Sequence, residues 1–300
     1  MAANIADSRF ITAPDGLRLH VRDYGDRRSR HLPVVCLPGL SRTAADFEVL
    51  ATALAGDAAA PRRVLALDCR GRGLSDYDRN PENYTVPTEL ADVIAVLAAC
   101  EVAPAIMIGT SRGGLITMEL AAKQPGAIAG AVLNDIGPAV EIRGLMRIKG
   151  YVGKLPKPRS FEEAADLLRR IGGAHFPNVD AAGWLAAARR GWREHKGRLV
   201  TTYDPGLAVN LATINPDKPM PTKWDVFEAL TQVPLLVVHG AMSDILSPET
   251  VEAMRARHPD MDVAEIPDQG HAPLLAEPDI IAKIAQFAAE CDAAYQDALA

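Results

Sequence analysis

The residues best suited to chemistry gather around one serine. Gly109-Thr110-Ser111-Arg112-Gly113, followed by Gly114, is a G-x-S-x-G sequence. It begins where the apolar run Ala105–Ile108 ends and stops where a helical pattern begins. On a sharp turn between strand and helix, a serine hydroxyl is lifted above the sheet edge, and the helix N-terminus offers free N–H groups. The glycines let strand and helix pack closely around the turn. A serine hydroxyl is a weak nucleophile and needs a base. His271, in Gln269-Gly270-His271-Ala272-Pro273, follows the last strand-like run and opens on the same sheet edge. That position separates it from His20, His31, His175, His195, His239 and His258.

The base in turn needs an acid to hold its tautomer. Asp244, in the loop after the run Val233–His239, is the expected acid, giving the chain order Ser111, Asp244, His271. Asp135 also ends a strand-like run and is the rival; its blander role is a buried turn residue bonding nearby N–H groups. The oxyanion formed in acyl transfer needs donors. The main-chain N–H groups of Arg112, just after the serine, and of Leu40, in the loop after Pro33–Leu37, are expected to supply them.

Elements of alternating type must hold these groups. Leu17–Tyr24, Pro33–Leu37, Arg63–Leu67, Ala105–Ile108, Gly130–Leu133, Val233–His239 and Val263–Ile266 read as strands. Most are short continuous apolar runs, as expected of parallel strands buried on both faces. Between them, Thr43–Leu54, Thr88–Cys100, Gly113–Lys123, Pro248–Arg257 and Pro278–Glu290 carry helical spacing. Strand then helix, repeated, implies a mostly parallel sheet covered on both faces. The rhythm breaks from about Pro138 to Trp224, where Ser160–Ile171 and Asp180–His195 read as helices. The expected organisation is a core of residues 1–137 and 225–300 with an inserted helical cap, 138–224.

Composition narrows the partners. The net charge is −6 and the basic residues are scattered, which gives no stripe for nucleic acid. No apolar run reaches the roughly 18–20 residues of a membrane span, and no signal peptide is read at the N-terminus. The four cysteines, Cys36, Cys69, Cys100 and Cys291, lack the spacing of a metal site or disulfide framework. A cytoplasmic chain, monomer or homo-oligomer, is expected, with no metal or organic cofactor; hydrolysis needs only water.

Asp68-Cys-Arg-Gly-Arg-Gly73, then Ser75-Asp76, completes a specific set with the serine turn, the acid loop and Gly270-His271. Over essentially its whole length the chain resembles the α/β-hydrolase superfamily, in particular the capped branch of carboxylesterases, enol-lactonases and carbon–carbon bond hydrolases. The resemblance implies a mostly parallel eight-stranded α/β sheet with helices on both faces and an inserted helical cap. It also implies that the Asp68–Asp76 turn braces the site. Three departures stand out. Pro38-Gly39 replaces the family's His-Gly, and Arg112 stands where relatives often carry Met or Gln. The nucleophile is serine, not the aspartate of haloalkane dehalogenases and epoxide hydrolases.

The expected activity is hydrolysis of a small-molecule ester or lactone through an acyl-enzyme. The alternatives are carbon–carbon bond hydrolysis on the same residues and, further off, a non-catalytic receptor. Tyr151, Trp184 and Trp192 are candidates for the pocket wall, against simple packing of the cap. Arg42 is a candidate for a substrate carboxylate, against a surface role. The Arg112 side chain is expected to pair with Asp135, or else to reach a polar substrate group.

Overall fold

A computed structural model describes residues 6–218 and 220–300. The chain opens with strands β1 (Asp7–Thr12), β2 (Arg18–Tyr24) and β3 (Val34–Leu37), then helix α1 (Glu48–Ala55) and β4 (Val64–Asp68). There follow α2 (Val86–Cys100), β5 (Ala105–Thr110), α3 (Arg112–Lys123) and β6 (Ile128–Asn134). The chain then leaves the sheet through α4 (Ile142–Tyr151), α5 (Phe161–Gly172), α6 (Ala181–Gly191), β7 (Trp192–His195), β8 (Arg198–Thr201), α7 (Ala208–Ala212) and α8 (Trp224–Glu228). It returns with β9 (Leu235–Gly240), α9 (Pro248–Arg257), β10 (Asp262–Ile266) and α10 (Pro278–Leu299).

The large sheet has eight strands in the order β1-β2-β4-β3-β5-β6-β9-β10. Pairing is antiparallel from β1 through β2 to β4 and parallel from β4 onward. Strands β3, β4, β5, β6 and β9 are buried throughout, which explains their continuous apolar runs. One face packs on α2, α3 and α9 through residues such as Val93, Leu120 and Met254. The other packs on α1 and α10 through Leu50, Ile284 and Phe287. The register aligns the strand ends that matter: Leu37 pairs with Gly109, Thr110 with Asn134, and Asn134 with Val238. The loops after β3, β5, β6 and β9 therefore open on one edge of the sheet.

Several elements differ from the sequence reading. Strand β1, DSRFIT, has no apolar run and pairs along one edge of β2. Helix α4 carries Gly144 and Gly150 and was not legible as a helix. The helix expected to reach His195 stops at Gly191. Trp192 turns to extended angles, and Lys196-Gly197, both with positive φ (51° and 73°), close a tight hairpin between β7 and β8. Helix α10 continues beyond Glu290 to Leu299. Among the described residues, no strand of the large sheet comes from between Asn134 and Leu235. Helices α5 and α6 with the hairpin build a small core of their own around Ala164, Ala188 and Trp192.

Candidate active site

Ser111 occupies the turn between β5 and α3 with φ 51° and ψ −113°, angles a side-chain-bearing residue rarely adopts. Close packing holds the turn in place. A Cβ on Gly109 would lie 2.5 Å from the Gly114 nitrogen, and one on Gly113 would collide with the Leu37 carbonyl. The Ser111 N–H donates to the Asn134 carbonyl at 3.0 Å, tying the turn to the end of β6.

His271 stands 2.7 Å from the serine, its Nε2 facing Ser111 Oγ, and its Nδ1 lies 2.8 Å from Asp135 Oδ2. An ionised carboxylate only accepts, so Nδ1 carries the proton and Nε2 is free to accept from the serine hydroxyl. The His271 loop is fixed by Asn134, whose Nδ2 donates to the Pro273 carbonyl at 3.1 Å.

The acid beside His271 is therefore Asp135, not Asp244. Asp135 is fully buried and takes φ 55° just past β6. Its N–H donates to the Val238 carbonyl, and its carboxylate accepts from the Gly240 N–H (2.9 Å), the Ser243 hydroxyl (2.6 Å) and His271. The role of a turn residue bonding nearby N–H groups and that of the histidine's partner thus coincide in one side chain. Asp244 reaches the same loop cluster, but its two oxygens accept from Nε and Nη2 of Arg147 in α4, at 2.6 and 2.7 Å. Burial alone would raise the Asp244 pKa. The hydrogen bonds and charge of Arg147, with the nearby His175 and His271 rings, hold it below the ordinary value.

Leu40 and Arg112 border the same cavity as Ser111. Among the described residues, neither main-chain N–H is taken by a protein acceptor. Both residues are held through one buried carboxylate. Arg72 Nε donates to the Leu40 carbonyl at 2.7 Å, and its Nη1 donates to Glu89 at 2.7 Å. Arg112 Nε donates to the other Glu89 oxygen at 2.7 Å, and its Nη2 reaches the Tyr84 carbonyl. This corrects the expected pairing of Arg112 with Asp135. Burial pushes the Glu89 carboxyl up, but Arg112 and Arg72 together hold it below the usual glutamate range. The bracing by the Asp68–Asp76 turn is thus an identifiable contact, made by Arg72. Glu89 itself reads in the sequence only as an acid in the first turn of a helix.

Two cavities border this centre. One, of about 250 Å³, is bordered by Ser111, Leu40 and Arg112 and walled by aliphatic side chains such as Leu115, Ile136 and Val140. The other, of about 190 Å³, is bordered by His271 and gathers Arg42, Tyr151, Trp184 and Trp192 from four different elements and loops, together with Arg147 and Arg190. Trp192 also packs the small core of α5 and α6, so wall and packing are one role. The four cysteines are buried and unpaired. Among the described residues no helix is long and apolar enough to cross a membrane.

A profile of the alpha/beta hydrolase family matches residues 34–284. A 3-hydroxybutyrate-oligomer hydrolase from Cupriavidus necator is 34% identical over 294 residues, covering 92% of this chain and 94% of that protein. A 2-(acetamidomethylene)succinate hydrolase from Mesorhizobium japonicum is 26% identical over 287 residues, covering 94% and 96%. The crystal structure of an alpha/beta hydrolase from Novosphingobium aromaticivorans superposes with a TM-score of 0.88 at 43% identity, covering 96% of this chain and 99% of that one. Sheet order, serine turn and these matches agree: the chain belongs to the alpha/beta hydrolase family.

Proposed function

We propose that the chain is a serine esterase that cleaves small carboxylic esters through an acyl-enzyme on Ser111, His271 and Asp135. The observation that carries this reading is the continuous line of hydrogen bonds from Ser111 Oγ through the His271 ring to Asp135. His271 Nε2 takes the hydroxyl proton as Ser111 Oγ attacks the carbonyl carbon. Asp135 holds the ring and stabilises the imidazolium. The Leu40 and Arg112 N–H groups receive the oxyanion. The tetrahedral adduct collapses, His271 gives its proton to the departing alkoxide, and the alcohol leaves. Water then attacks the acyl-serine, with His271 again as base, and releases the acid.

The Cupriavidus relative, named for the hydrolysis of 3-hydroxybutyrate oligomers, favours short hydroxyacid oligoesters as the substrate class. The test is hydrolysis of 3-hydroxybutyrate dimer and trimer beside an aryl butyrate, with Ser111→Ala as control. The expected result is turnover by the wild type and a fall of several orders of magnitude in the variant, with the melting temperature kept. Retained turnover in Ser111→Ala, or none of any ester by folded wild type, overturns the reading.

A further inference from the structure

The two cavities differ in which part of the reacting centre each one touches. The aliphatic cavity borders Ser111 and both residues of the oxyanion pair, whereas His271 is not in its wall. The second cavity borders His271 and contains neither Leu40 nor Arg112. In an acyl transfer the acyl group stays on the serine, and the departing oxygen must lie where the histidine can protonate it. The geometry therefore gives the aliphatic cavity to the acyl group and the second cavity to the leaving alcohol.

The leaving-group cavity is also the positively charged one. Three arginines, Arg42, Arg147 and Arg190, line it, against one lining carboxylate, Asp46. Arg147 is committed to Asp244. Arg42 and Arg190 share a single oxygen of Asp46, at 3.5 and 3.2 Å, while the other oxygen accepts from the Thr43 N–H. Two guanidinium groups on one carboxylate leave one positive charge and several N–H donors unmatched. Both side chains are about one-third exposed, 33% and 30%, so water and ligand reach them. Arg42 also stands close to the chemistry: a Cβ on Gly39 would lie 3.7 Å from Ser111 Cβ and 3.8 Å from Arg42 Cγ. In the acyl cavity Lys223 pairs with Glu119, and the Arg112 guanidinium, only 16% exposed, is bound by the Glu89 carboxylate that it shares with buried Arg72 and by the Tyr84 carbonyl, so the positive charge there is less open to a ligand.

We infer that Arg42 and Arg190 receive a carboxylate carried by the leaving alcohol, so that the enzyme releases hydroxy acids from the carboxyl end of an ester or oligoester. This rests on the acyl-enzyme reading above. The planar guanidinium forks suit a carboxylate, and a charge-assisted bond in a partly enclosed site discriminates strongly against a neutral isostere.

Four esters test it: 3-(butanoyloxy)butanoate, its methyl ester, butyl hemisuccinate and butyl butanoate. The first carries the carboxylate on the alcohol side and the third on the acyl side. For wild type, kcat/KM for the first is expected to exceed that for its methyl ester by about tenfold or more. Butyl hemisuccinate should show no advantage over butyl butanoate. In Arg42→Gln and Arg190→Gln the first ratio should fall toward one. Equal rates for the first pair in wild type, a preference for the hemisuccinate, or a ratio unchanged in both variants overturns the inference while the esterase reading stands. Failure to cleave all four, with Ser111 unreactive to a fluorophosphonate, overturns the esterase reading and this inference with it.

Discussion

Arg72 Nε donates to the main-chain carbonyl of Leu40 at 2.7 Å, so a side chain from the turn after β4 holds the peptide that follows the proposed oxyanion N–H. Arg72 and Arg112 meet on Glu89, and all three are largely screened from water, at 1%, 16% and 1% side-chain exposure. One carboxylate thus fixes both residues whose N–H groups are the proposed oxyanion donors. It also leaves one net positive charge beside that proposed site.

Glu89→Gln keeps the shape of the side chain but leaves two buried guanidiniums without a counter-ion. The expected cost is about 2–3 kcal/mol of stability, somewhat below that of breaking a buried pair outright. Arg72, which holds the Leu40 carbonyl, loses its anchor, so kcat should fall by about tenfold with KM little changed. The pH dependence has a definite sign. The Glu89 pKa is depressed in the folded chain, so its contribution is fully present above the unfolded value of about 4.3. That contribution is lost as pH falls through the folded value. Denaturant melts from pH 7 down to 3 should show the gap between wild type and variant closing at the acid end; a gap independent of pH contradicts the assignment.

Arg112→Met separates the side chain of that residue from its main chain. The proposed oxyanion donor is the N–H, which the substitution keeps, and Glu89 retains Arg72. The expected kcat lies within about tenfold of wild type. Steady-state kinetics showing a loss of a thousandfold would mean that the guanidinium itself touches the reacting group.

Gly113→Ala tests the packing that holds the serine turn. The added methyl group meets the Leu37 carbonyl, which lies in the sheet and has no room to yield. A loss of about 1–3 kcal/mol or more is expected. Thermal melts should show the midpoint several degrees lower; an unchanged midpoint contradicts the close approach.

The sheet and its serine turn were legible because buried parallel strands and G-x-S-x-G both leave local marks in the sequence. Strand β1 was not, because an edge strand with polar alternation resembles a loop. The β7–β8 hairpin was hidden by the helical pattern running into it, although Lys196-Gly197 was a usable turn signal. His271 followed from its place after the last strand. The acid was harder. Asp135 and Asp244 both lie in loops that follow sheet strands on the same edge, and position alone does not choose between them. The choice rests on the contact of His271 Nδ1 with Asp135 and on Arg147, ninety-odd residues from Asp244 in a helix that the sequence did not disclose, which occupies both oxygens of Asp244. The Glu89 bridge was invisible for the same reason, since its partners come from two other elements.

The pairing of Asp135 with His271 is tested most directly by two variants. Asp135→Asn and Asp244→Asn should be compared by kcat on one ester at pH 7, with circular dichroism to establish folding. Asp135→Asn removes the charge and, with the amide oxygen kept on the Gly240 N–H, turns an NH2 donor toward His271 Nδ1, which favours the wrong tautomer; kcat is expected to fall by about 10³–10⁴-fold. Asp244→Asn breaks only the pair with Arg147, and kcat is expected to stay within about tenfold while stability drops by about 1–3 kcal/mol. The reverse pattern, with Asp244→Asn inactive and Asp135→Asn near wild type, contradicts the account.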